Sequence, residues 1–358
     1  MTPAMMSILD YPYDGLLKQF GLLWGKGEFH AGALFRQVYR NGILDPAALP
    51  AFVQNPSLAH KVTETFRLNI PEPFGTSRDG DTYKFLLKMD DGLETESVVI
   101  PMKQYKSLCV SSQIGCAMGC RFCETAQMGF VRNLTAGEIV SQVMAARFRL
   151  NEDIRNVVFM GMGEPFENLD NVLAAIRILR DTRGLKVVHI TVSTMGHIPG
   201  IERLTALAHE PPPEGFSDIR LAISLNAPDD AIRSSIMPHA KRWPMAELKR
   251  VLSAYPKRRR GMKVLIEYVL IPGVNDGETH AHELCSYLRG LPVEVNLIPY
   301  NPRKDSPWPR ETDDAVQRFW QILKDEGQAC RTRKEKGSSA MAACGQLGNR
   351  SRIRNVAP

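Results

Sequence analysis

The sequence predicts an α/β protein built on a parallel sheet, with a small helical unit ahead of it. Three observations carry this. Six short β-branched apolar segments recur from about residue 105, helical stretches separate them, and the first 70 or so residues show helical periodicity alone. Strand alternating with helix implies right-handed βαβ units. Six units are too few for a closed eight-stranded barrel, which leaves a partial, open barrel or a doubly wound sheet.

The helical unit comes first. "YDGLLKQFGLLWGKG", "HAGALFRQVYRNG" and "PSLAHKVTETFRLN" place apolar residues three and four apart and end in Gly or Asn. A Pro-rich joint, "IPEPFG", closes this unit, taken as residues 1–74. In "TYKFLLKMDDGLETESVVIP" apolar and polar residues alternate around Asp91-Gly92, a two-residue hairpin signal, giving a β-extension over 75–104. The six segments then follow within 105–328: "SLCVSS" from Ser107, "NVVFMGM" from Asn156, "VVHITVST" from Val187, "IRLAISLN" from Ile219, "KVLIEYVL" from Lys263 and "VEVNLIPY" from Val293. Among the intervening helices, "TAGEIVSQVMAARFRL" opens with Thr135 and Glu138 at capping-box spacing. Residues 329–358 read as a basic tail.

In either parallel fold, chemistry gathers at the carboxyl ends of the strands. Those ends carry Gly163 and Glu164, Ser193 and Thr194, Ser224 and Asn226, and Asn301, a polar set suited to a nucleotide-like ligand. Just beyond the first strand, Cys116, Cys120 and Cys123 form CxxxCxxC. A structural zinc needs a fourth protein ligand, and no second CxxC or HxxxH is near. An iron–sulfur cubane held by three thiolates keeps one iron open for a substrate or cofactor.

Bulk properties narrow the classes further. The chain has 358 residues, 44% hydrophobic and 23% charged, as expected of a soluble globular protein. No run of about 18 apolar residues predicts a membrane span. The N-terminus lacks the basic and apolar regions of a secretory signal. Seven cysteines, an odd number with three crowded together, favour metal or catalytic thiols in the cytoplasm over a disulfide framework. The net charge of +6 is clustered in "YPKRRRGMK" (255–263), "CRTRKEK" (330–336) and Arg350, Arg352 and Arg354, making nucleic acid a plausible partner alongside plain solvated loops.

CxxxCxxC with Phe122 before the last Cys, and "GMGEP" after the second strand, resemble the radical S-adenosylmethionine superfamily. "LCVSSQIGCAMGCRFCETAQMGFVRNLT", "ISLNAP", "IEYVLIPGVND", "NLIPYNP" and "AACGQLG" narrow the resemblance to the RlmN/Cfr family of rRNA adenine methyltransferases, nearer its C2-methylating branch. The chain departs from the family in Asn226, where the family carries His, in Glu124, and in the "GSSAM" before "AACGQL".

This resemblance implies a partial (β/α)6 TIM-type barrel with a helical N-terminal accessory domain that binds RNA. It implies a [4Fe-4S] cluster on Cys116, Cys120 and Cys123, and S-adenosylmethionine held by Gly163, Glu164, Ser193, Ser224, Leu225, Asn226 and Asn301, two molecules per turnover. One molecule methylates Cys344 by displacement. The second is cleaved reductively, and its 5′-deoxyadenosyl radical takes a hydrogen from the S-methyl group. The methylene radical adds to C2 of an adenosine in 23S rRNA, or in tRNA; Glu96 accepts the ring proton; Cys109 attacks the sulfur of Cys344 and frees the base. The resulting disulfide needs external reduction. The family also implies an electron donor such as flavodoxin and a monomeric enzyme. Two alternatives remain at this stage: a C8-directed or otherwise retargeted RNA methyltransferase, and a metal-stabilised RNA-binding module without turnover. Cys285 and Cys330 read as structural, and the histidines show no ligand spacing.

Overall fold

The structure, a computed structural model, describes residues 5–210, 215–256, 263–303, 305–333 and 344–348. Its centre is one ten-stranded mixed sheet. The strands are β1 (Phe74–Asp79), β2 (Thr82–Lys88), β3 (Glu94–Pro101), β4 (Lys106–Cys109), β5 (Ile154–Phe159), β6 (His189–Thr194), β7 (Arg220–Ser224), β8 (Val264–Leu270), β9 (Val293–Pro299) and β10 (Cys330–Thr332). They lie side by side in chain order. β1 to β4 pair antiparallel, and β4 to β10 pair parallel.

That order decides between the two parallel architectures. A doubly wound sheet reverses its strand order part-way, whereas here the order never reverses, so right-handed crossovers all place their helices on one face. The sheet is a partial barrel, and its linear order leaves it open. All six expected strands form. β10 is a seventh parallel strand, at the start of what was expected to be tail.

The helices follow the sequence signals. α1 (Tyr13–Trp24) and α2 (Glu28–Asn41) each end on a glycine in the left-handed conformation, Gly25 and Gly42, and α3 (Pro56–Thr65) starts from an Asn55 cap. α4 (Ala136–Phe148) carries the full Thr135/Glu138 capping box. α5 (Leu169–Arg180), α6 (Ile198–His209), α7 (Asp230–Ile236), α8 (Met245–Ala254), α9 (Glu278–Leu288) and α10 (Asp313–Asp325) complete the outer layer. α4 is buried along nearly its whole length, because the N-terminal segment covers the side turned away from the sheet. There Asp10 Oδ1 accepts from Gly137 N–H at 2.5 Å, and Tyr39 Oη donates to the Ile8 carbonyl at 2.9 Å. The N-terminal helices and the barrel thus share one continuous apolar core.

The hairpin needs a correction. Lys88 pairs with Glu94 and Met89 N–H donates to the Leu93 carbonyl, so the loop is Asp90-Asp91-Gly92, three residues rather than two. Gly92, at φ +82°, takes the left-handed position that a three-residue hairpin requires. The extension also has three strands, since β1 adds to the outer edge of β2.

Candidate active site

The three clustered thiols are held by a short antiparallel ladder, Gln113–Gly115 against Phe130–Asn133. Cys116 N–H donates to the Gly129 carbonyl at 2.8 Å. A Cβ at position 115 would lie 1.9 Å from that same carbonyl oxygen, so only glycine admits this closure. Gln127 Nε2 donates to the carbonyls of Cys120 and Cys123. Around the thiols, Met118, Phe122, Met195, Met237, Trp243 and Tyr300 form an apolar pocket distinct from the main core. Burial pushes the Cys116 thiol up to about 12 and raises Cys120 and Cys123 as well.

Cys116, Cys120 and Cys123 all face one cavity of about 160 Å³ at the carboxyl ends of the strands. Gly163, Glu164, Ser193, Ser224, Asn226 and Asn301 line it too. Leu225 does not: its side chain is buried in the main core, leaving only its backbone near the strand end. Here a hydrophobic residue on a nearly period-two strand points away from its polar neighbours.

Several of these residues are fastened to the protein itself. Glu164 Oε1 accepts from Phe166 N–H at 3.1 Å and Oε2 from Met195 N–H at 2.9 Å, tying the end of β5 to the end of β6. Burial raises its pKa to about 7. Asn226, at φ +58°, accepts from Val269 N–H at 2.9 Å. Ser193 and Ser224 hydroxyls lie 3.4 Å apart. Arg233, completely buried, donates to the carbonyls of Trp243 and Met195 and sets the wall behind Cys120.

A second cavity, about 530 Å³, runs inside the barrel. It shares Met160, Glu267, Asn301, Arg333 and Cys344 with the first, so the two adjoin along that wall. Cys109 faces the second cavity from β4. Burial pushes its thiol up to about 12, with the nearby Cys344 adding and Arg333 opposing. Cys344 itself sits on a strap, Cys344–Gly348, laid across the strand ends. Glu124 N–H donates to the Gly345 carbonyl at 2.7 Å, Thr125 Oγ1 to the Leu347 carbonyl at 2.6 Å, and Gln346 Nε2 to the Pro302 carbonyl at 3.3 Å. Leu347 packs with Val98, Cys109 and Met162. All seven cysteines are free thiols, Cys109 and Cys344 included.

Glu96 lies under the strap instead of on either cavity wall. Only 4% exposed, its carboxylate pairs with Lys84 Nζ at 3.1 Å and accepts from Gly348 N–H at 3.2 Å. Sequence reasoning missed Arg333 and Glu267. Arg333 was absorbed into a basic run. Glu267 is the one charged residue in the apolar strand "VLIEYVL", which is the signal that marks it. Most of the basic residues expected to meet nucleic acid (257–262, 334–336 and Arg350, Arg352 and Arg354) lie outside the described residues.

Residues 110–285 match the family model of the radical SAM superfamily. The chain is 41% identical, over 96% of its length and 94% of the relative's, to a probable dual-specificity RNA methyltransferase RlmN 1 of Protochlamydia amoebophila. A dual-specificity RNA methyltransferase RlmN of Geobacter sulfurreducens is 40% identical over 92% of this chain and 89% of its own. The chain belongs to the RlmN family. In fold it matches a radical SAM methyltransferase from Sphaerobacter thermophilus with a TM-score of 0.84 and 37% identity, covering 95% of this chain and 98% of that one.

Family membership makes a [4Fe-4S] cluster and S-adenosylmethionine the cofactors. The residues present fit them. Among the described residues, no three His, Cys, Asp or Glu side chains converge closely enough to grip a single ion. Three thiols spaced around an apolar pocket suit a cluster, which takes one sulfur per iron and so needs ligands around a body, not a point. The polar strand ends beside them offer hydroxyl, amide and backbone groups to a nucleoside.

Proposed function

We propose that this RlmN-family chain methylates C2 of an adenosine in 23S rRNA, and in tRNA, through a methyl group carried on Cys344. The observation that supports it best is that Cys344 and Cys109 both face the second cavity, while Cys344 also faces the adjoining first cavity, which the cluster thiols line. Bound in the first cavity, the cluster and S-adenosylmethionine supply the methyl group and the one-electron chemistry that C2, an electrophilic carbon, demands.

The chain's own residues would do the rest. Cys344 carries the carbon that becomes the methyl group, and its strap holds it beside the cluster loop through Glu124 and Thr125. Cys109 lies in reach of the same space and attacks the sulfur of Cys344: an S–S bond forms, the S–C bond breaks, and the carbon leaves with the electron pair and takes a proton. The disulfide then needs two electrons from outside. Glu96 is the proton acceptor in this scheme. Its contact with Gly348 makes that role depend on the strap lifting, which frees the carboxylate from one of its two partners.

The N-terminal helices and the basic segments would grip RNA phosphates, while the target base is unstacked into the barrel, as chemistry at a base edge requires. A flavodoxin-type donor, a monomeric state and a cytoplasmic location complete the reading; no described helix is long and apolar enough to cross a membrane.

The test is an anaerobically reconstituted enzyme given S-adenosylmethionine without RNA. A 14 Da gain on the peptide containing Cys344 is expected. With 23S rRNA added, Cys109→Ala should accumulate RNA covalently bound at Cys344. Absence of the 14 Da gain refutes the carrier role, and normal turnover by Cys109→Ala refutes the resolving role.

A further inference from the structure

The cluster loop has an outer side that the chemistry above does not use. Cys116, Met118, Cys120 and Phe122 line the first cavity, while the alternate residues Ala117, Gly119 and Arg121 line neither cavity. Ala117 and Arg121 are exposed. The back of the loop is therefore protein surface. Arg121 lies one peptide unit from Cys120, about 3.8 Å between Cα atoms.

That surface is cationic. Arg121 N–H donates to the Ile236 carbonyl at 2.9 Å, and the Arg121 carbonyl accepts from Arg303 Nε at 2.9 Å. A Cβ at Gly119 would meet the Pro238 ring at 4.0 Å, so the 3-10 turn Pro238–Arg242 lies against the loop, with Lys241 and Arg242 exposed. The Arg242 guanidinium sits 4.8 Å over the Trp243 ring, and Trp243 packs in the same apolar pocket as Cys116. Arg121, Lys241, Arg242 and Arg303 thus border a small face of Ala117, Gly119 and Pro238. The carboxylates beside it are Glu167, 3.5 Å from Arg242, and Asp305, two residues past Arg303. The side chains of Arg121 and Lys241 have no ion pair or hydrogen bond among the described residues, so their charges are open to a partner.

Two anionic partners suit such a face, RNA and an acidic protein, and its position decides between them. RNA must bring a base to Cys344 and Cys109 at the second cavity, and none of the four cations lines either cavity. What the back of the loop offers is nearness to the cluster, which serves electron delivery, since electron transfer slows steeply with distance. A reducing protein also needs only a small contact: weak redox encounters bury less than about 1,200 Å² and are steered by complementary charge. We infer that this face is the docking site of an acidic, flavin-bearing one-electron carrier. One electron passes from the carrier's reduced flavin to the cluster, so the flavin is oxidised by one electron and the cluster reduced by one. This rests on the reading above that a flavodoxin-type donor serves the enzyme, and it assigns that donor a place.

The test uses the reconstituted holoenzyme, flavodoxin as the probe, and the double variant Arg121→Glu/Lys241→Glu. Both side chains are exposed, and only the backbone of Arg121 holds the loop, so the reversal of charge leaves those bonds in place. Flavodoxin binding at low salt, followed by isothermal calorimetry, should weaken by about tenfold or more. The wild-type affinity should itself fall as salt is raised, because exposed charges are screened. Stopped-flow reduction of the cluster by sub-saturating reduced flavodoxin should slow by a similar factor. The extent of cluster reduction by dithionite, and the affinity for a 23S rRNA fragment, should stay at wild-type levels. A loss of flavodoxin affinity under about threefold overturns the assignment. So does a wild-type affinity that is indifferent to salt or too weak to measure, and so does an equal loss of RNA affinity, which would give the face to RNA. Failure of the underlying reading is distinct: the dithionite-reduced wild type would then leave the RNA unmodified, whatever its affinity for flavodoxin.

Discussion

Gly163→Ala probes the turn on which the first cavity depends. Gly163 has φ +101°, where an L side chain is strained. A Cβ there would also lie 2.6 Å from Gln113 Cβ, 2.7 Å from its Cγ and 2.9 Å from its backbone nitrogen. Gln113 cannot yield freely. Gln113 N–H donates to the Met162 carbonyl, its Oε1 accepts from Glu164 N–H at 2.9 Å, and its Nε2 donates to Asn133 at 2.8 Å. Backbone strain contributes about 1–2 kcal/mol and overpacking about 1–3 kcal/mol, so Gly163→Ala should destabilise the fold by about 3 kcal/mol. Gly80→Ala is the control: φ is +57° and nothing lies within 4 Å of its Cβ position, leaving the strain alone, about 1 kcal/mol. Urea unfolding of the cluster-free protein, followed by circular dichroism, measures both. Equal losses for the two variants would refute the packing account of the turn.

Three other outcomes follow from the geometry. Burial raises the Glu164 pKa to about 7 from 4.5, so the folded state holds that proton more tightly than the unfolded chain. The neutral carboxyl's contribution is therefore complete below pH 4.5 and is lost as pH rises to about 7; Glu164→Gln in cluster-free protein should remove about 3 kcal/mol of that decline, and parallel stability–pH curves for the two proteins would sink the idea. Thr125→Val deletes the hydroxyl that donates to the Leu347 carbonyl, so strap opening should rise about tenfold, read as the rate of iodoacetamide alkylation at Cys344; an unchanged rate would mean the strap is held elsewhere. Thr135→Ala removes half of the α4 capping box and should cost about 1 kcal/mol in urea unfolding, and a loss under about 0.3 kcal/mol would show that burial alone fixes that helix start.

The elements that were legible in the sequence are those whose local chemistry agrees with their tertiary setting. The six apolar strands, the Thr135 cap and the CxxxCxxC loop are of this kind. β1 was missed because "FGTSRD" sits at an outer edge, largely exposed, with no apolar alternation to betray it. β10 has three residues inside a basic run, and only its pairing to β9 makes it a strand. Leu225 was carried over with its polar neighbours, although a strand turns alternate side chains to opposite faces. Glu96 was read as a base from its sequence match, while its partners, Lys84 across the hairpin and Gly348 more than 250 positions away, exist only once the chain is folded. The two adjoining cavities are likewise a property of the curved sheet, which no periodicity encodes.

The sheet's failure to close has its own consequence. A complete ring of strands can be entered only through its mouth, so it favours small molecules and chain ends. A row of strands running from β1 to β10 without joining leaves a seam down one side. A long polymer can lie along such a seam and turn a single unit inward from the middle of its length, with no terminus to thread and no strand to displace.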